Sequence, residues 1–447
     1  MKSLLNVAVA AVVLGALAAS AHATAYTWDN GGGTGNYWGD PLEWNLDNGF
    51  PNSNVDTATF SASATVNFAD SSGVDSSFTL KSLAFTSASA GSFQLQNVSG
   101  GTGKLIFESD TGTASITTTR NGGKTNNWNV GIQLNSNLSV RASAGEGVRF
   151  NRAITSGVAG TGLTISGQVN GSGSSIAVSY MNAAASYSGA TTIAGSSNTS
   201  NGNGGGKLQL GVDNALPVGT ILTVAPSAVS GSTAQGGELK LAGFDQEVGG
   251  LSGGTHATAV GKITSTAAAT FTINNASDYD FAGDIGGTTG APISLVKKGA
   301  GTQTLSGVNN YTGNTTVEAG TLTLASTGGL SFVIGASGVN NQITGDGAGQ
   351  TVNLDGAFTF DLTGAGTTVG DSWTIVDYAG LAAVNVGASF TVTNAGWTET
   401  AGVWTGTDTN GATYTFSEST GVLAIIPEPA TMCLLALGGV MLLRRRR

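Results

Sequence analysis

The side chains best suited to chemistry are few and far apart. His22 and His256 are the only histidines, and a Ser-His-Asp triad or a zinc site needs a histidine with partners. His256 lies in SGGTHATAVG, a Gly- and Thr-rich stretch that reads as a solvated loop. The single cysteine, Cys433, sits in an apolar run and reads as a small apolar residue, not a nucleophile. The densest carboxylates are Asp278, Asp280 and Asp284 in SDYDFAGD. Glycoside hydrolysis needs two carboxyls about 5–9 Å apart, one with a raised pKa. On a strand Asp278 and Asp280 would share one face, with Tyr279 and Phe281 on the other. Exposed carboxylates in a Gly-rich setting lack the burial that raises a pKa, so the expectation is solvated acids outside and aromatics inside. GDGAGQ, after Thr344, is only a fragment of a calcium-binding repeat and is not iterated. No catalytic, cofactor-binding or metal-binding residue is therefore assigned. Trp28, Trp38 and Trp44 could stack on sugars, but aromatics clustered near one end of a β structure are expected to form the core of a cap.

Composition narrows the class. Once Lys2 and the four C-terminal arginines are set aside, 12 basic residues face 27 acidic ones. That field disfavours nucleic acid and anionic membranes. With one cysteine, the exported part can hold no disulfide. Gly accounts for 70 of 447 residues, and Thr, Ser and Asn are abundant. All four resist helix formation. Hydrophobic residues still make up 40%, so the chain has enough apolar surface to fold.

Those hydrophobics alternate in short runs. SFTLKSLAF places Phe78 with Leu80, then Leu83 with Phe85; GVRF, LTIS, KLQL and TLTL repeat the device with Val148/Phe150, Leu163/Ile165, Leu208/Leu210 and Leu322/Leu324. Period-two alternation predicts half-buried strands, separated by Gly- and Asn-rich turns. The frame Tyr-x-Gly-x-Thr-Thr-β-branched occurs at Tyr187 (ASYSGATTIAG) and again at Tyr311 (NNYTGNTTVEAG), each followed by a Leu-x-Leu strand. Internal repetition favours stacked rungs, with aliphatics in a continuous inner column and Thr/Asn ladders outside. Rungs of about 22 residues would give roughly 14 turns and a rod about 65 Å long at the strand spacing.

The two ends read as addresses. MKSLLNVAVAAVVLGALAASAHA has a basic start, an apolar core and the small-x-small site Ala21-His22-Ala23, the form of a signal peptide cut by signal peptidase. At the other end Pro427-Glu428-Pro429 precedes an uncharged run from Ala430 to Leu443 and then Arg444, Arg445, Arg446 and Arg447. The run is short for a membrane span, but snorkelling arginines extend its reach and favour the cytoplasmic side. This arrangement resembles the PEP-CTERM sorting signal. The resemblance implies transient tethering in the inner membrane by a transmembrane helix, cutting near Pro427-Glu428-Pro429 by an exosortase-type protease, and delivery to the cell surface or extracellular matrix of an exopolysaccharide-producing bacterium.

Residues 295–325, LVKKGAGTQTLSGVNNYTGNTTVEAGTLTLA, resemble the autotransporter-associated β-strand repeat through Lys298-Gly299, Gly301, Thr304-Leu305, Gly307, Asn310-Tyr311-Thr312-Gly313, Thr315-Thr316-Val317, Gly320 and Thr321-Leu322. The resemblance implies a right-handed parallel β-helix exposed at the cell surface. No run of long amphipathic strands that would suggest a membrane barrel follows the repeat. The expected organisation is all-β: signal peptide 1–23, N-terminal cap 24–60, β-solenoid 61–329, a C-terminal β-rich region 330–426, and the sorting signal 427–447. The expected role is structural or adhesive and not enzymatic, with exopolysaccharide as a candidate partner; a polysaccharide-binding or polysaccharide-degrading β-helix is the alternative.

Overall fold

Alternation in the sequence becomes alternation in burial. In Lys207–Leu210 and Thr321–Leu324 every second side chain is buried and the others are half-exposed. The computed structural model describes residues 23–427 apart from 30–34, 62–63, 87–92, 120–125, 143–146, 168–177, 196–204, 229–234, 255–258, 287–290 and 348. Among the described residues the only helix is one 3₁₀ turn, Pro41–Glu43, and no helix is long and apolar enough to cross a membrane. His22, His256, Cys433, Ala21, Glu428, Pro429 and Arg444 to Arg447 lie outside them.

Nearly every strand pairs in parallel with the strand one rung earlier and one rung later. The chain therefore coils through three faces per rung. The segment Gln246–Val248, Gly250–Ser252, Lys262–Thr264 is one such rung, and Ala269–Asn274, Tyr279–Phe281, Asp284–Ile285 is the next. The third face holds ten described strands, from Tyr37–Gly39 to Asp284–Ile285. It continues where Ile285 donates its amide to Asn309 Oδ1 at 3.1 Å and accepts from the Asn310 amide at 3.0 Å. Four more strands follow, the last being Thr391–Val392. Ten and four rungs at about 4.8 Å give a stack of roughly 65 Å.

The rungs are not of one size. Leu305 pairs with Leu324 across a short interval of chain, whereas Phe358 pairs with Val392 across a much longer one. A repeat near 22 is thus the short end of the range, because surface turns between faces take insertions while the inner positions stay in register. The long strand Phe78–Phe85 shows how a corner is made. Its pattern slips between Leu80 and Leu83, leaving Lys81 and Ser82 both half-exposed, and there the strand passes from the first face to the second.

Both ends are closed. At the start, Ala25–Trp28 pairs with Ser53–Phe60, and the indoles of Trp28, Trp38 and Trp44 pack over the first rung. Trp44 stands edge-on to Trp28 and to Trp38 at 5.1 Å each. Trp38 Nε1 donates to the Pro51 carbonyl at 3.0 Å, and Trp44 Nε1 to the Trp38 carbonyl at 2.8 Å. Trp28 Nε1 is buried without a partner among the described residues, but all three rings are packed away from solvent and so belong to a core, not to a sugar-stacking surface.

Beyond residue 329 the parallel ladders do not stop. They run on through Ala357–Asp361 to Thr391–Val392. A five-stranded antiparallel sheet then closes the stack, in the order Ser372–Thr374, Val422–Ile426, Thr413–Ser417, Val403–Thr407, Thr398–Thr400. Phe416 of this sheet packs on Phe360 at 5.5 Å and on Phe358 at 5.8 Å, covering the last apolar rung. Such closure is what a stack needs, since an open terminal rung would expose both core and strand edges.

Candidate functional site

Two of the carboxylates singled out in the sequence accept hydrogen bonds from the next rung. Asp278 and Asp280 are exposed and Phe281 is buried, with Tyr279 half-buried. Asp278 Oδ1 accepts the Thr302 amide at 2.7 Å and Asp280 Oδ1 accepts the Ser306 hydroxyl at 2.5 Å. Both therefore hold the next rung in place. Asp284 stands on another face, in Asp284–Ile285. Asp346 is exposed. Among the described residues no three His, Cys, Asp or Glu side chains are grouped so as to hold a metal ion.

The repeated frame has a local physical reason. Tyr187 and Tyr311 are buried, and each phenol meets the hydroxyl of the threonine four residues on, Thr191 or Thr315, at 2.6 Å. Burial pushes both phenols well above the ordinary tyrosine range, against a smaller opposing effect of the threonine. The pair folds the chain tightly around a corner. The two copies nevertheless occupy different faces. Thr191–Ile193 pairs with Leu163–Gly167 on the second face, while Thr315–Val317 pairs with Ile293–Lys298 on the first. The frame is thus a corner device, not a marker of one position in the rung.

Lys297 is a buried cation that the alternation pattern does not flag. Its Nζ donates to the carbonyls of Lys298, Gly299 and Ala319 at 2.6, 2.8 and 3.1 Å. Burial lowers its pKa to about 8, against the opposing field of Asp278. A caged ammonium with every proton directed at a carbonyl is a structural clip joining two rungs.

A long surface row appears only once the register is known. On the second face Thr57, Ser82, Ser115, Ser139, Thr164, Thr192, Thr223 and Ser252 are partners in unbroken succession, though unevenly spaced along the chain. All eight are half-exposed. Spaced at about 4.8 Å, they make a neutral hydroxyl row of roughly 34 Å. Thr223 and Ser252 hydroxyls meet at 2.9 Å. The bridge between Gly253 and Phe281 brings Asp280 onto the same row, followed by Thr304, Thr323, Asn353 and Asn385. Asn353 Nδ2 donates to Thr323 Oγ1 at 3.1 Å, and Asn385 Nδ2 to Asn353 Oδ1 at 2.9 Å. A second ladder joins Asn182 to Asn151 at 2.8 Å and Asn151 to Asn129 at 2.9 Å. Hydroxyls both donate and accept, so the stretch from Thr57 to Ser252 can satisfy a hydroxylated partner along its length without any charge, which enters the row at Asp280.

Comparison with known proteins agrees with the repeat read in the sequence. The Passenger-associated-transport-repeat family matches residues 295–324. Over 319 residues the chain is 29% identical to the adhesin BmaC autotransporter of Brucella suis biovar 1 (strain 1330), an alignment covering 65% of this chain and 8% of that protein. The chain thus spans less than a tenth of the length of the curated relative it matches. No solved structure matches it.

Proposed function

We propose that this protein is an exported, non-catalytic, right-handed β-solenoid that acts at the cell surface as an adhesive or matrix-building rod. The unbroken hydroxyl row of the second face is the observation that carries the reading. A neutral, repetitive, hydrogen-bonding strip of this length suits contact with a hydroxylated matrix such as exopolysaccharide. The similarity to a protein named as an adhesin supports it, and right-handed coiling is the hand that parallel crossovers overwhelmingly take. In this reading signal peptidase cuts after Ala23, the run from Ala430 with Arg444 to Arg447 holds the tail briefly in the inner membrane, and an exosortase-type protease recognises Pro427-Glu428-Pro429.

Deletion and complementation in the native cells test the proposal. Cells without the protein should adhere less, and the wild-type chain should restore adhesion. Thr164→Glu/Thr192→Glu, which charges the row, should fail to restore it. Thr316→Glu, on the first face, should succeed. Normal adhesion of the deletion strain, or full rescue by the charged row, would refute the reading.

A further inference from the structure

We propose that the cleft where the last rungs meet the closing antiparallel sheet is a subsite for a neutral hexopyranose unit. The cleft has a volume of about 420 Å³ and is lined by Asp361, Asn394, Trp397, Asp408 and Asn410 among others. That volume lies within the range of small-molecule sites, about 300–1,000 Å³. It lies apart from the hydroxyl row, so its failure would leave the adhesive reading standing.

Trp397 supplies the apolar wall. Its indole lies directly on the backbone of Gly406, where a Cβ would come within 2.1 Å of the ring. It also leans on Phe360, with centroids 5.6 Å apart and planes at 39°. The ring is fixed on both of these sides yet remains half-exposed, and it lines the cleft. A rigid, partly open indole is the kind of surface on which the C–H face of a sugar packs, since it offers apolar area without conformational cost.

The polar groups around it are equally fixed. Asp408 Oδ1 accepts the amides of Asn410 at 2.9 Å and Ala412 at 2.8 Å, and its Oδ2 lies 3.4 Å from Asn410 Nδ2. Asp361 Oδ1 accepts the Thr363 amide at 3.0 Å. The Thr363 hydroxyl and amide together hold that carboxyl below its usual range, so it faces the cleft as an acceptor. Asn394 is committed to the backbone of Phe360, accepting from its amide at 2.8 Å and donating to its carbonyl at 2.7 Å. It builds the wall and leaves recognition to Asp361, Asp408 and Asn410. Carboxylate oxygens have lone pairs beyond those used here and can each accept from sugar hydroxyls. Two carboxylates also repel uronate and sulfate groups, which selects a neutral sugar over an acidic one.

Titration calorimetry of the full exported chain decides the matter, with cellohexaose, maltohexaose and chitohexaose as probes. Hexagalacturonate and hexalysine serve as charged controls. At least one neutral hexaose should bind, Trp397→Ala should weaken it tenfold or more, and Asn410→Ala severalfold, whereas Thr316→Ala should not change it. Circular dichroism checks that Trp397→Ala retains the fold; if it does not, Asn410→Ala decides. No binding of any neutral hexaose at millimolar concentration, tighter binding of either charged control, or indifference to both cleft substitutions would overturn the proposal.

Discussion

Replacing Tyr311 by phenylalanine removes one oxygen from a buried corner, and the surroundings of its partner set the cost. The Tyr311 hydroxyl and Thr315 Oγ1 meet at 2.6 Å, and Thr315 is buried, its Oγ1 having no second hydrogen-bond partner among the described residues. A lost hydrogen bond costs about 0.5–1.5 kcal/mol, and a buried polar group left unsatisfied raises the total to about 1–3 kcal/mol. The same substitution at Tyr187 should be milder. There Thr191 Oγ1 keeps the Thr220 hydroxyl at 2.9 Å, so only the lower figure applies. Tyr311→Phe is therefore expected to cost about 1 kcal/mol more than Tyr187→Phe, a factor of roughly five in an opening equilibrium. The double variant Tyr311→Phe/Thr315→Val, which removes both partners, should recover much of the loss. A long stack opens locally, so global melting is the wrong measure. Hydrogen exchange read by mass spectrometry on peptides spanning 311–324 and 187–194 reports the two corners separately. Equal or larger loss of protection at Tyr187→Phe would refute the reasoning, as would a double variant no better than Tyr311→Phe.

Leu322→Asp should destabilise its rungs by several kcal/mol, because Leu322 is buried between Gln303 and Val352 and a carboxylate there has no partner. Thr323→Asp should be mild, since the side chain is half-exposed and can accept from Asn353; hydrogen exchange over the same rungs distinguishes them. Stability measured against pH should rise from about 8 towards 10, because between those values the unfolded chain protonates Lys297 and the folded chain does not. Above about 10 it should fall, since unfolded tyrosines ionise while buried Tyr187 and Tyr311 resist; Lys297→Met should remove the rise and keep the fall. Trp38→Ala should cost about 3–5 kcal/mol and expose the first rungs to protease. It should leave glycan binding elsewhere intact, contrary to a sugar-platform role.

How much of this was legible beforehand depends on the range of the signal. Leu322, Thr323 and Leu324 declare their orientation within three residues, and the buried and half-exposed positions follow them. The Trp cluster likewise suggested a cap through density alone. Strand direction is not legible in the alternation, which is the same whatever the partner does; the expectation of parallel strands rests on the resemblance to the repeat. FTFDLTG contributes a parallel strand and ATYTFSE an antiparallel one. Rung length was hidden because turns between faces vary while the inner column does not. The Tyr frame was visible, but its change of face between Tyr187 and Tyr311 depends on how many residues each preceding rung consumes. Nothing in the sequence marks Lys297 apart from Lys298-Gly299, since its cage is made of backbone carbonyls from Lys298, Gly299 and Ala319. The hydroxyl row, whose members such as Ser82, Ser115 and Ser139 are distant in the chain and unevenly spaced, exists only in the register. The cleft beside Trp397 requires the closing sheet to be in place.

The central claim is that the chain is delivered outside the cell as a surface rod and released from its tail. Fractionation of the native cells followed by intact-mass measurement tests it most directly. The account predicts a protein in the surface or extracellular fraction whose mass begins near Thr24 and stops near Pro427, lacking Ala430 to Arg447. A surface protein still carrying Arg447 would contradict the exosortase step, and a chain confined to the cytoplasm with residues 1–23 intact would contradict the claim as a whole.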